Sequence, residues 1–508
     1  MNPAAPSDPY AEGLKHSAGG RHALAIDKFE QALARAPGDT RVLFALGNTA
    51  RALGLARSAE EFFRRVLALE PERLEALINL ANLLRAQGNF AAAEALLAPA
   101  LARHPGSAEL WLTLGSIHRE TGERERAVEY CREALARRPA YPQALGNLAD
   151  LLADDGDMDA ALALYGRALS LEPDNAQARL NRAVLHLLKG NLKEGWRDYT
   201  ARLKLAGKVP VADHKLPRWL GTSLKRQRLL VTAEQGVGDQ IMFASVIPEL
   251  AARAAQEGGS AILECEPRLV SLFTRSFPWV AVRAWDAETR GGATATHYGW
   301  LKTAGGATSA IEMGTLPRFL RPNLAAFPSP NAYLVPDAQE ISLWRSAFAC
   351  AAQPAIGICW RSGKTGGHRA LQYAPLEAWA AFAREWPGAI VSVQYDANAD
   401  EIAALEAASG RGILVPQAID QKNELDRACA MLAALDAVVS APTAVSWLAA
   451  ASGVPTYKIL YDTSWTSFGE GFEPFAPACV CVMPDRRGDW AQDFARTSAA
   501  LKTRLSPG

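Results

Sequence analysis

The sequence predicts a chain of the α + α/β class: an N-terminal α-solenoid followed by a pair of doubly wound α/β lobes. Three observations predict it. Proline, glycine and alanine recur every 34 residues through the first two fifths of the chain. Beyond residue 225, short apolar runs rich in Val and Ile alternate with helix-length segments. Between the two patterns lies 207–224, GKVPVADHKLPRWLGTSL, which has turn formers and no clear period and reads as a linker.

Composition bounds what such a chain does. It has 508 residues, 49% hydrophobic and 21% charged, enough for sizeable cores. Lys+Arg and Asp+Glu are both 54, so blanket attraction to nucleic acid or an anionic membrane is not its mode of action. The 7 cysteines include no CxxC pair, and the 8 histidines form no HExxH cluster. No metal site is expected, and reduced cysteines suit a cytoplasm. The first twenty residues lack a basic segment followed by an apolar core, and no apolar run is long enough to span a bilayer. A soluble cytoplasmic protein is expected.

The repeat comes first along the chain. Pro37, Pro71, Pro105, Pro139 and Pro173 mark the period. Gly20, Gly54, Gly88, Gly122, Gly156 and Gly190 keep the same step, as do Ala25, Ala59, Ala93, Ala127 and Ala161. Small residues recur at Gly13, Gly47, Ala81, Gly115, Ala149 and Ala183. Each unit reads as two antiparallel helices. The small residue admits a close neighbour, the glycine ends the first helix at positive φ, and the proline stops the second. With Trp111-x-x-Leu114-Gly115, this pattern resembles the tetratricopeptide (TPR) family. Five full units span 6–175 and a sixth fades near 203, giving a solenoid over 6–206.

First helices line the concave face of such an array. Asn79, Asn147 and Asn181 share one register on them, and Asn48 and Asn82 another. An amide both donates and accepts, so a ladder of amides grips the backbone of an extended peptide. A similar ladder lines the peptide channel of the O-GlcNAc transferases. The alternative is that these amides only bond neighbouring repeats.

Residues 225–335 read as one small parallel-sheet lobe and 353–508 as a second, with a crossing between them. Inside the first, the Gly/Thr-rich TRGGATATHYGWLKTAGGATS is expected to be loop. Two doubly wound lobes flanking a cleft are the GT-B layout, and ligands in such sheets bind beyond the carboxyl ends of the strands.

Four segments stand at such strand ends. Glu234-Gln235-Gly236-Val237-Gly238-Asp239-Gln240 follows RLLVTA; its glycines let backbone approach a ligand. Asp239 is either a helix cap or a general base facing the cleft. Trp360-Arg361-Ser362-Gly363-Lys364 follows AIGIC, and its basic groups suit an anionic ligand. Ser440-Ala441-Pro442-Thr443-Ala444 runs from a strand into a helix start, a phosphate-binding geometry unless Thr443 is a plain cap. Tyr461 to Gly469 is polar and aromatic, and either packs on a base or sugar or joins the core.

In order along the chain, EGWRDY, AEQGVGDQIMFA, GICWRSG, SVQYD and VVSAPTAVSWLAAASGVPTYKIL resemble bacterial TPR-linked glycosyltransferases with a heptosyltransferase-like GT-B region. The resemblance implies an inverting, metal-independent sugar transfer from a nucleotide sugar, with no further cofactor. It implies Asp239 as base and Arg361 and Lys364 on the donor phosphate. Gln394 and Tyr395 fall near the nucleotide, and Gly236, Gly238, Ser362, Thr443 and Ala444 complete the donor site. Many relatives have an Asp-Thr pair and a downstream histidine where this chain has Pro442-Thr443 and Trp447. A CMP-linked donor, with its single phosphate, needs fewer contacts there. That is similar to alphaproteobacterial flagellin glycosyltransferases, which implies a flagellin acceptor held by the TPR array and a nonulosonic acid such as pseudaminic acid. The alternative is a non-catalytic scaffold with a degenerate transferase region. Transfer to lipid or polysaccharide is disfavoured, because no basic amphipathic face is evident.

Overall fold

The computed structural model describes residues 8–205, 210–234, 236–290, 293–303, 305–328, 332–349, 351–363 and 371–505. The chain divides into two compact units, Met1–Ala178 and Arg179–Gly508.

The first unit consists of helix pairs. They are α1 (Pro9–Ala18) with α2 (His22–Arg35), α3 (Thr40–Ala52) with α4 (Ala56–Leu69), and α5 (Leu74–Ala86) with α6 (Phe90–Arg103). Two more follow: α7 (Ala108–Glu120) with α8 (Arg124–Arg137), and α9 (Pro142–Asp154) with α10 (Met158–Leu171). The repeat registers have the expected physical causes. The glycines after each first helix, from Gly20 to Gly190, take φ between 70 and 89°, the left-handed region that a Cβ disfavours. The five register alanines are fully buried in the second helices. At Gly47 a Cβ would lie 2.6 Å from the Phe63 ring, so the small residue is what lets α3 lie against α4.

The sixth pair, α11 (Ala176–Leu188) and α12 (Leu192–Tyr199), begins at the boundary and groups with the second unit. Trp196, Tyr199, Leu187 and Leu192 are buried in the main core of that unit. The sequence places this pair at the end of the solenoid, and its Ala183, Leu187, Leu192, Trp196 and Tyr199 pack among the α/β residues. Phe468 and Phe475 surround Trp196, with ring centroids 5.7 and 6.2 Å away.

Two parallel sheets follow. The first contains β2 (Arg228–Thr232), β3 (Ser260–Cys265), β4 (Ala281–Ala284) and β7 (Ser309–Glu312), in the order β4-β3-β2-β7. Helices α13 (Val237–Ala244), α14 (Ile247–Glu257), α15 (Val270–Ser276) and α16 (Pro317–Leu320) connect it. The second contains β8 (Ile356–Cys359), β9 (Ile390–Ser392), β10 (Ala437–Ser440), β11 (Thr456–Ile459) and β12 (Cys479–Val482), in the order β12-β11-β10-β8-β9. Around it are α17 (Ala338–Phe348), α18 (Leu376–Glu385), α19 (Ala399–Ser409), α20 (Leu425–Leu432), α21 (Ala444–Ala451) and α22 (Trp490–Leu505). β8, β10 and β11 are buried throughout, as parallel strands covered on both faces must be.

Two expectations are corrected. The Gly/Thr-rich stretch holds β6 (Ala293–Thr296) and the second half of β5 (Ala287–Arg290), which pair antiparallel. The segment read as a linker is ordered over 210–224. Its strand β1 (Val211–Ala212) pairs with β6, and Pro217 to Trp219 run beside β7. Trp219 N donates to Ala310 O at 2.8 Å, and its side chain is buried.

Candidate functional site

In each sheet the chain leaves one strand, builds to one side, and later returns to the other side. That happens at β2 in the first sheet and between β8 and β10 in the second. Such switch points leave a crevice at the carboxyl ends of the strands. A cavity of about 820 Å³ opens there, between the two lobes of the second unit. Its walls include the start of α13, residues just past β3, β8 and β9, and the start of α21.

The first wall is the glycine-rich motif. Glu234 is held behind it in a buried ion pair with Arg202, whose Nε donates to Oε2 at 3.1 Å. Gly314 N donates to the other Glu234 oxygen at 2.7 Å. Gly236 is the N-cap of α13, and Asp239 is its third residue. Gly236 N donates to Asp239 Oδ2 at 3.1 Å, so the carboxylate closes the helix start and lines the cavity at once. Gly238 sits against Ala444 and Trp447, which brings the first and third motifs together. Gln235 lies outside the described residues.

The second wall corrects two assignments. Arg361 does not line the cavity. Its Nε and Nη2 donate to the two Glu401 oxygens at 2.6 and 2.7 Å, and its Nη1 donates to Asp396 Oδ1 at 2.8 Å. The Glu401 hydrogen bond raises the guanidinium's pKa further above its ordinary value, and Asp396 adds to this. This side chain is a clamp between β8 and α19. Gln394 is also buried and occupied. Its oxygen accepts from Trp360 N and Arg361 N, each at 3.0 Å, and its Nε2 donates to Asp396 at 2.7 Å. Gln394 shapes the loop backbone and does not line the cavity. Ser362 and Tyr395 do line it, and the Tyr395 hydroxyl accepts from Gly363 N. Lys364 and the rest of that basic loop, through residue 370, lie outside the described residues.

The third wall is the start of α21. Thr443 caps it, accepting from Val445 N at 3.2 Å, and is itself buried beside Cys359 and Ser440. Burial pushes the Cys359 thiol up to about 11. Ala444 and Val445 line the cavity, so the helix start rather than the threonine faces it. Lys458 Nζ, paired with buried Glu473 at 2.5 Å, stands 4.0 Å from the Trp447 ring centre. Trp447 is thus part of a buried cation–π contact. In the fourth segment, Trp465 and Phe468 pack against Trp196, the core alternative for those rings.

The asparagines divide. Asn79 Nδ2 donates to Asn48 Oδ1 at 2.9 Å, and Asn147 Nδ2 donates to Ser116 Oγ at 3.1 Å. Those amides bridge adjacent repeats. Asn82 is half-buried on α5, and Asn181 lies on α11 in the second unit.

The cavity also holds Gln240, which the first motif includes without a role, and residues that motif reasoning missed: Glu266, Arg268, Trp285, Gln421 and Lys422. The signal was available for two of them, because Glu266-Pro267-Arg268 directly follows the strand SAILEC and so stands at its carboxyl end. Arg268 reaches across to the second lobe, where Nη1 donates to Lys422 O at 2.7 Å. Arg275 makes a similar crossing to Asp426.

Fold and cavity together define a TPR-repeat chain carrying a two-lobed parallel α/β unit. The tetratricopeptide repeat family matches residues 10–73 and 78–143, and a second TPR repeat family matches 149–190. The chain is similar to Protein FlbA of Caulobacter vibrioides, at 32% identity over 324 residues. That match covers 63% of this chain and 54% of the relative, so the chain spans about half the length of that protein. Among solved structures, TTC0263, a thermophilic TPR protein of Thermus thermophilus, is 30% identical. It covers 35% of this chain and 97% of its own, with a TM-score of 0.32. MamA of Desulfovibrio magneticus RS-1 is 19% identical over 34% of this chain and 99% of its own, with a TM-score of 0.29. No helix among the described residues is long and apolar enough to cross a membrane.

Proposed function

We propose that this protein is a glycosyltransferase whose TPR array holds a protein acceptor and whose second unit is a GT-B-type catalytic region. One observation carries the reading: Asp239 and the N-terminal ends of α13 and α21 share one cavity at the switch points of two parallel sheets. In the proposed reaction a Ser or Thr hydroxyl oxygen of the acceptor attacks the anomeric carbon. Asp239 takes the hydroxyl proton. The bond to the nucleotide phosphate breaks, and its electron pair leaves with the phosphate oxygen. The positive end of α21 stabilises that charge. Flagellin as acceptor and a CMP-linked nonulosonic acid as donor are the finer form of the proposal.

Comparing intact masses of secreted flagellin tests it. A regular sugar-sized loss is expected both in a strain lacking the gene and in an Asp239→Ala strain. Loss in the deletion strain alone removes Asp239 as base. No loss in either removes the flagellin assignment. The second reading, a TPR scaffold with an inactive α/β region, is favoured by Arg361, which the carboxylates of Glu401 and Asp396 already occupy. Absence of binding to every common nucleotide would select that reading.

A further inference from the structure

The first lobe's wall holds a donor with nothing to donate to. Gln240 is 1% exposed and contributes to the cavity wall, and its Nε2 has no hydrogen-bond partner among the described residues. Which end of this amide is nitrogen is not arbitrary. Its oxygen must accept from Glu266 N, at 2.9 Å, because that backbone group can only donate. The nitrogen is therefore the end left over. A buried unpaired N–H is costly, on the order of 1–3 kcal/mol, and is tolerated where a ligand completes it.

Arg268 stands two residues beyond Glu266 in the same wall. Its Nε is held by both Glu266 oxygens, at 2.8 and 2.9 Å, and its Nη1 by Lys422 O. The guanidinium is thus fixed in place, and its remaining terminal nitrogen, Nη2, has no acceptor among the described residues. The neighbouring Glu266 carboxylate balances the Arg268 charge. A cluster of zero net charge with one amide NH2 and one guanidinium NH2 suits a planar monoanion better than a dianionic phosphate.

We infer that Gln240 Nε2 and Arg268 Nη2 form a carboxylate-recognition point on the first lobe, separate from the phosphate end at α21. Resting on the nucleotide-sugar reading above, this point receives the carboxylate of an acidic sugar and selects such sugars over neutral ones. The same chemistry would be met by an acidic side chain of the acceptor, so the test separates the two sources.

Titration calorimetry on the full chain would use N-acetylneuraminic acid, its methyl ester, an acetylated aspartyl amide, and CMP, UMP, UDP and GDP. The acid should bind about tenfold more tightly than the ester, the gain of one charge-assisted hydrogen-bond pair. Gln240→Glu keeps the acceptor for Glu266 N but removes the donor and adds a repelling charge. Arg268→Gln removes the cation. Each should abolish the acid–ester difference, with thermal melting checking that the variants fold. Discrimination that survives both substitutions, or nucleotide binding with no acid–ester difference in the wild type, overturns the recognition point. Discrimination carried by the aspartyl amide instead of the sugar acid overturns the sugar source and moves the point to the acceptor. Acid binding with no nucleotide binding keeps the recognition point and overturns the nucleotide-sugar reading. Binding of none of the probes overturns both.

Discussion

Arg202 and Glu234 form an ion pair in which both side chains are 2% exposed. Arg202 comes from the 3-10 turn that ends the repeat region, and Glu234 from the motif after β2. Removing one partner strands the other charge in the core. Arg202→Met should therefore cost about 3–5 kcal/mol. Glu234→Gln keeps an acceptor for Gly314 N and should cost less. The double variant should lose less than the sum of the two singles, because neither charge is then left alone. Urea denaturation of all four proteins measures this, and strictly additive losses would remove the pairing from the account.

Glu264 gives the second prediction. It is fully buried at the end of β3, accepting from Ala233 N at 3.1 Å and the Tyr298 hydroxyl at 2.9 Å. Burial pushes its carboxyl up from 4.5 to about 7, against the lowering effect of those two hydrogen bonds. Between those values the folded chain keeps a proton that the unfolded chain has released. Stability should fall as pH rises through that window, by roughly 1.4 kcal/mol per pH unit at most, and then level off. Glu264→Gln should flatten that decline. Denaturation midpoints on either side of the window decide, and a wild-type-to-variant difference that is the same at both ends would refute it.

The repeat packing makes a third prediction with a built-in control. At Gly47 an added methyl meets the Phe63 ring at 2.6 Å. Gly47→Ala should destabilise the solenoid by about 1–3 kcal/mol through overpacking. The next repeat has Ala81 in that register and Leu97 where Phe63 stands. Adding Phe63→Leu should recover part of the loss. If the second substitution worsens the first, the clash is not the cause.

Arg361 supplies a fourth. As a clamp on Glu401 and Asp396 it should not tolerate lysine, which cannot reproduce a two-pronged contact. Arg361→Lys should lower thermal stability by about 1–3 kcal/mol with no ligand present. An unchanged melting temperature would return this side chain to ligand binding.

The repeats were legible in the sequence because one period writes the same packing problem five times, with Gly47, Ala59 and Pro71 each solving a different part of it in one unit. The parallel strands were legible as apolar runs. The candidate site was half legible. The rule that ligands sit at strand ends found Gly236, Asp239, Ser362 and Ala444. It could not show that Arg361 is claimed by Glu401, 40 residues further on, because an ion pair made across an intervening strand leaves no local trace. Gln240 stood in the first motif without a role, because its burial and its unpaired nitrogen are tertiary facts that VGDQIMFA does not carry. The antiparallel pair β5–β6 was hidden by composition, since Ala-Glu-Thr-Arg and Ala-Thr-Ala-Thr contain no large apolar residue to mark a strand.

The place where α11 and α12 pack has a consequence for how the gene can change. Because Trp196, Tyr199 and Arg202 serve the α/β core, the last helix pair is inherited with that unit and not with the repeats before it. Duplication or deletion of whole 34-residue modules upstream of residue 178 would lengthen or shorten the array and leave this foundation untouched. A break at the proline-containing stretch after residue 206, where a sequence alignment would invite a recombination joint, would remove three buried side chains from the half it was meant to preserve. Viable chimaeras should therefore carry their junctions near residue 178.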